Sequence, residues 1–254
     1  TQLSLAVAAI LTADRMRHEA QRMRLAIQAL STPEGRAERL QTWLNPWCEP
    51  AVMQWLPLVW GVLWWLMGWS FEWNLSLKRD GSANLVPAVD IVLVSVTSML
   101  LMALAVWRKW PQAAKLNAMQ LPLLYLACAF AAFQSVSPFM PLQHGGWWAW
   151  PIGLIWFYVS LRKQENYFSL PHKAISLQHV VGAWLVLFII TAQVRGIFIQ
   201  MRDLGEAWNL LATMLVPALA LFAVSRRAPW KMWPLQSQLA LYQQSTAAPI
   251  AVLL

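Results

Sequence analysis

The chain alternates long apolar runs with short polar connections. Continuous apolar runs occupy about 51–71, 85–107, 116–137, 146–161, 175–194 and 208–224. Each is close to the ~17–25 residues that cross a bilayer as an α-helix. The runs are unbroken and lack period-two alternation, so the pattern predicts helices and not barrel strands. Pro57, Pro122, Pro151 and Pro217 fall within or at the ends of these runs. Membrane helices tolerate proline there as a local bend. Residues 13–30 follow a different rhythm: Met16, Ala20, Met23, Ile27 and Leu30 recur at steps of three and four. Arg15, Arg17, Arg22 and Arg24 fall mostly between them. That spacing predicts an amphipathic helix, either lying on the cytoplasmic membrane surface or connecting two spans through water. Ser31-Thr32-Pro33-Glu34-Gly35 ends it.

The expected fold class is therefore all-α, a polytopic integral membrane helix bundle with six complete spans. Residues 3–12 (LSLAVAAILT) read as the tail of an apolar helix and 248–254 (APIAVLL) as the start of another. With no initiator Met and no signal peptide, the expectation is a piece of a longer membrane protein with truncated helices at both ends. This gives four regions. Residues 1–12 close a membrane helix, and 13–48 form the cytoplasmic amphipathic helix and a linker. Residues 49–225 are the six-helix membrane domain, and 226–254 are a cytoplasmic linker leading into a further helix.

Composition agrees. The chain is 59% hydrophobic and 12% charged, where soluble domains carry about 25% charged residues. Its net charge of +8 would suit nucleic acid if the basic residues formed one patch. They sit instead in short loops between apolar runs, so nucleic acid is not the expected partner. Lys and Arg number six before the first run, then two, three, none, three, two, and three after the sixth. Alternate loops are thus rich and poor, which fits six spans with the rich side cytoplasmic. The hairpins at 72–84, 138–145 and 195–207 then face outward. The expected partners are the lipid bilayer, anionic lipids at the cytoplasmic face and the remaining helices of the parent chain. Many of the 18 tryptophans fall at predicted interfaces. Trp69, Trp73, Trp147, Trp148, Trp150 and Trp208 lie toward the outer side, and Trp43, Trp47, Trp107, Trp110, Trp230 and Trp233 toward the inner.

Candidate chemistry is sparse. Asp90 lies about five residues inside the outer end of the second run, with Thr97 and Ser98 two turns on. An ionisable group in a span suggests an ion or proton path. The alternative is a packing contact near the wet interface, with Arg195 as the partner. His144 precedes Gly145, Gly146 and the Trp147/Trp148/Trp150 group. It reads as an acid/base beside a sugar-stacking surface, or as part of an interfacial anchor after a flexible Gly-Gly turn. His179 reads as a hydrogen-bonded packing residue. Trp65, Trp69 and Trp73 share one helix face, for lipid contact and packing or as a carbohydrate platform. Cys48 and Cys128 support neither a disulfide nor a metal site. No P-loop, dinucleotide fingerprint, HExxH or paired-carboxylate motif occurs. Nothing in the pattern calls for a metal or cofactor. The outward acids and histidines are scattered, which argues against an enzyme.

The stretches LPLVWGVLWWLMGW (56–69), HGGWWAWPIGLIWFYVSLRKQE (144–165), HVVGAWLVLFII (179–190) and WPLQSQLALY (233–242) resemble large bacterial predicted membrane proteins of unknown function (domain of unknown function 2339). The resemblance covers roughly residues 50–254. It implies a longer parent with more spans, seated in the bacterial inner membrane, and it implies no catalytic residues. The expected role is a structural or assembly module of the cell envelope. A transporter or channel segment with Asp90 in its pathway stands second, and a membrane-embedded envelope-glycan enzyme third.

Overall fold

A computed structural model describes residues 2–30, 50–134, 138–167, 171–201, 206–225, 233 and 239–242. All regular structure among the described residues is helical. The long helices are α1 (Gln2–Leu30), α2 (Pro50–Arg79), α3 (Val86–Trp107), α5 (Gln120–Gln134), α6 (Gly146–Tyr167), α7 (His172–Gln200) and α8 (Glu206–Ser225). Two short helices complete the order, α4 (Pro111–Leu116) before α5 and α9 (Leu239–Tyr242) after α8. Three stretches are long and apolar enough to cross a membrane: Ala83–Trp107, Pro111–Gln134 and His172–Gln200.

The local sequence explains the breaks. Pro87 and Pro111 sit in the first turns of α3 and α4, where a missing N–H costs nothing. Lys109 takes a left-handed φ of 51° in the tight turn between them. Gly145 (φ 83°) follows His144 (φ 47°) in the turn before α6. A Cβ on Gly146 would strike the backbone carbonyl of Pro141. The Gly-Gly pair expected as a flexible turn is thus a sterically required one, because the chain folds back on itself there.

α1 differs most from the sequence reading. One helix runs through residue 12, about 44 Å long at 1.5 Å per residue. Neither Gly nor Pro occurs between residues 2 and 30 to bend it. Residues 13–30 therefore continue the axis of 2–12. Small residues bring α1 against α2. Ala6 and Ala13 are buried, and Gly61 lies against Ala6, Ala9 and Ile10.

The centre is formed by α3, packed against α2, α5 and α6. Its core joins Ile91, Leu121, Leu124, Trp150, Phe157, Leu161, Leu185 and Ile189. α8 packs along α7. The helix ends gather into two levels. At one, the turn before α6 lies against Leu85 and Ala88, and Leu142 N–H donates to Gln193 Oε1 at 2.9 Å. At the other, Arg17 of α1 donates to the carbonyls of Arg108 and Lys109, both at 3.1 Å. Asp14 meets Arg108 at 3.5 Å. This second level carries the basic loops and is called the basic end below.

Candidate functional site

The described polar side chains collect in three places. Toward the end away from the basic loops, Ser70 Oγ donates to Asp90 Oδ1 at 2.9 Å. One turn pair deeper, Trp65 Nε1 donates to Thr97 Oγ1 at 3.2 Å. Asp90 and Thr97 are seven residues apart and both face α2. Ser98, one residue further round, faces elsewhere, so the single stripe expected from Asp90 through Thr97 and Ser98 divides. The contact expected between Asp90 and Arg195 is not formed. Among the described residues no ion pair joins them, and Arg195 is exposed. Position explains it: α3 packs with α2, α5 and α6, while α7, which carries Arg195, packs with α5, α6 and α8.

The second place is a buried amide–hydroxyl cluster between α3, α5 and α6. Trp156 Nε1 donates to Ser98 Oγ at 3.0 Å. Ser98 Oγ lies 2.8 Å from Gln120 Oε1 and 2.5 Å from the Asn117 amide. Ser160 Oγ lies 3.2 Å from Gln120 Oε1 and 2.8 Å from the Phe157 carbonyl. A hydroxyl donates one proton, so Ser98 cannot satisfy both amides as donor. Asn117 Nδ2 has no partner, and neither has Gln164 Oε1 one turn beyond Ser160. Rotating the Asn117 amide would only exchange an orphan donor for an orphan acceptor. Both side chains are at most 2% exposed.

The third place, at the basic end, joins α6 and α7 to the segment that follows α8. His179 is fully buried. Its Nε2 lies 2.7 Å from Glu165 Oε1, and its Nδ1 lies 3.0 Å from the Tyr242 hydroxyl. Trp233 Nε1 donates to the other carboxylate oxygen at 2.8 Å. The Trp233 ring meets Tyr158 edge-on at 6.3 Å and His179 at 6.0 Å, and the Arg162 guanidinium lies 5.6 Å over it. Trp233 can only donate, so Glu165 accepts there. If His179 is neutral with its proton on Nε2, it donates to Glu165 and leaves Nδ1 to accept from Tyr242. Burial raises the Tyr242 phenol far above its usual value, with Tyr158 and Glu165 adding to the effect. The phenol therefore stays protonated and able to donate. Carboxylate, imidazole and phenol in this order are joined by hydrogen bonds, with Trp233 on the second carboxylate oxygen. The groups act here as structural partners.

The remaining sequence candidates stand apart. His144 is exposed beside its turn. Arg15 pairs with Glu19 at 3.0 Å on the α1 surface. Arg15 and Arg22, with Leu11, Asp14, His18 and Glu19, line a groove of about 540 Å³. Arg17 faces the end of α3, and the Arg24 side chain lies outside the described residues, as do Cys48, Trp43, Trp47 and Trp230. No group of three His, Cys, Asp or Glu gathers among the described residues. Trp65, Trp69 and Trp73 do share a face, with successive rings 5.8 and 6.4 Å apart.

His179 is hydrogen-bonded and buried, as its position suggested. Its partners were not read from sequence, because Trp233 and Tyr242 approach from more than fifty residues away. One local signal was available: Trp156, Ser160 and Gln164 recur at four-residue steps along α6. No protein-family model, curated protein or solved structure matches the chain.

Proposed function

We propose that the chain is a six-span membrane module of a bacterial inner-membrane protein, acting in structure or assembly of the cell envelope, with the basic loops cytoplasmic. One observation carries this reading: whole helix faces are apolar and exposed, while polar side chains are buried between helices. Ser95, Ser98, Asn117, Gln120, Ser160, Gln164 and His179 are buried. Leu56, Trp60, Leu63, Met67 and Phe71, spaced to form one face of α2, are exposed. A water-soluble protein does not leave so long an apolar stripe wet. A lipid-facing helix requires it, and buried polar groups then bond across helices. Ile152, Ile155 and Val159 give α6 a similar exposed face, as Leu211, Leu215 and Leu219 do for α8.

The step from three apolar spans to six rests on tryptophan for α2 and α6, and on length for α8, whose apolar stretch Ala207–Ala223 is slightly shorter. α2 carries Trp55, Trp60, Trp64, Trp65, Trp69 and Trp73, and α6 carries Trp147, Trp148, Trp150 and Trp156. The indole N–H lowers mean hydropathy, yet the ring is at home at the membrane interface. The longer parent implied by the family resemblance belongs to the same proposal. So does attraction of anionic lipid to Arg15, Arg17, Arg22 and Arg24, each worth about 1 kcal/mol at most. A transporter role for Asp90 has less support, since that carboxylate is engaged by Ser70.

The test is cysteine accessibility in intact cells, with Cys48 and Cys128 replaced. Asp80→Cys and Gln143→Cys should react with an impermeant reagent from outside. Lys109→Cys and Lys173→Cys should react only after the membrane is opened. Reaction of Lys109→Cys from outside would overturn the orientation.

A further inference from the structure

One side of α1 is left open by the helix bundle. Val7, Leu11, Arg15, His18 and Arg22 recur at steps of four and three, which puts them on one side of the helix. Asp14 and Glu19 flank that side, one on each edge. The opposite side is taken up by packing: Ala6 and Ala13 are buried, and Arg17 bonds to the end of α3 and the turn after it. Leu11, Asp14, Arg15, His18, Glu19 and Arg22 line the open groove of about 540 Å³. The groove changes character along its length. Leu11 is 60% exposed at its apolar end, with Val7 exposed one turn further, and every lining residue beyond Leu11 is polar.

The charges of this groove are balanced and incompletely used. Two arginines stand against two carboxylates. Arg15 Nε donates to Glu19 Oε1 at 3.0 Å, and both side chains stay exposed. Asp14 Oδ2 lies 3.5 Å from Arg108. Asp14 Oδ1 has no hydrogen-bond partner, and His18 Nε2 at 3.9 Å is beyond bonding reach. Arg22 makes no ion pair among the described residues. A ligand of one sign would meet its own charge in such a groove, whereas a zwitterion is matched at both ends. The level suits a headgroup. Beside the same turn after α3, Trp107 is exposed and the Arg108 guanidinium lies 4.8 Å over its ring, a pair suited to a membrane interface.

We propose that this groove of α1 holds a phospholipid with a phosphoethanolamine headgroup. Arg15 and Arg22 donate to the phosphate, Glu19 and Asp14 accept from the primary ammonium, and Leu11 and Val7 carry the start of an acyl chain. The inference rests on the reading of the chain as a membrane protein with its basic end at the lipid surface. It goes beyond the attraction of anionic lipid, because it selects for N–H donors that a choline headgroup lacks and for a positive charge that a glycerol headgroup lacks. The apolar continuation of the groove at Leu11 decides for a lipid over free phosphoethanolamine.

The test uses the whole chain in detergent, where the outcome does not depend on membrane orientation. Phosphatidylethanolamine, phosphatidylcholine and phosphatidylglycerol of identical chains are added in equal amounts, and bound lipid is counted by native mass spectrometry. Phosphatidylethanolamine should be retained about tenfold over either of the others, the scale of one charge-assisted hydrogen bond. Glu19→Gln should narrow that gap, and Arg22→Gln should weaken retention of all three lipids, since each carries the phosphate. Both positions are exposed, so neither change threatens the fold. Glycerophosphoethanolamine at the same concentration should leave the lipid in place; displacement by it would overturn the lipid assignment. Equal retention of the ethanolamine and choline lipids, or a gap that Glu19→Gln leaves intact, overturns the groove as a headgroup site. So does preference for phosphatidylglycerol, which would leave the plain electrostatic attraction of the basic helix standing. Failure of the membrane reading itself shows separately, in the cysteine accessibility of intact cells.

Discussion

Asp90 shows how far a single residue can be read. Its type and depth marked it as a group needing a partner, since a lone carboxylate in a span is costly. The need was met by Ser70 on the preceding helix. Arg195 had the better charge but the wrong neighbours, and neighbour identity is a property of helix packing that no local pattern encodes. The two alternatives make opposite forecasts. Asp90→Asn and Arg195→Gln should lower stability additively, within about 0.3–0.5 kcal/mol. Asp90→Asn and Ser70→Ala should not add, because either change alone removes or weakens the same bond. Denaturation in detergent with both double-mutant cycles measures this. Coupling above that margin for Asp90 with Arg195, and none with Ser70, would reverse the assignment. His179 follows the same rule. Its burial was legible from its apolar context. Glu165, Trp233 and Tyr242 were not legible as its partners, because two of them arrive from beyond α8.

Among the elements, the apolar runs were the most legible part of the chain. α7 and α8 enclose the runs expected at 175–194 and 208–224, and α3 covers all but the first residue of the run at 85–107, because lipid-length hydrophobicity is a local signal. The ends were less legible. α2 continues to Arg79, some eight residues past its apolar run, because Glu72 to Lys78 contain no helix breaker. α1 ignored the change from apolar to charged residues at 12–14 for the same reason: polarity sets depth, but only Gly, Pro or a cap sets a helix end. This continuity gives Arg17 a role different from its neighbours. A guanidinium fork reaches two carbonyls left free at the end of α3 and the turn after it. Arg17→Gln should cost about 1–3 kcal/mol, the usual scale for charged hydrogen bonds. Arg17→Lys should recover only part of it, because an ammonium cannot hold the same planar pair. Arg22→Gln, on the exposed groove of α1, should cost much less. Equal losses at 17 and 22, read from unfolding in detergent, would show that α1 docks without this tie.

At the scale of the whole molecule, the exposed helix faces are as apolar as the core, and this makes a prediction that a soluble fold would not share. Met67 lies in the middle of α2 and is 64% exposed. In a soluble protein, an exposed Met on a helix surface can become Lys at little cost, within about 0.5 kcal/mol. In a bilayer the same change puts an ammonium inside the apolar run, at a cost that reaches about 2.5–3.5 kcal/mol at a helix centre and falls toward its ends. Trp73 is also exposed, at 44%, but it sits a turn and a half nearer the polar end of α2. A lysine there can extend its ammonium to the headgroups. Met67→Lys should therefore sharply reduce the amount of protein recovered in the membrane fraction, whereas Trp73→Lys should be tolerated. The contrast matters more than either value, because both variants add the same charge to the same helix. Equal recovery of the two would mean that the exposed face of α2 meets water, or another protein surface, and not lipid. That outcome would remove the ground for counting α2 as a span. Loss at 67 alone would extend the set of spans from the three that hydropathy marks to a Trp-rich fourth.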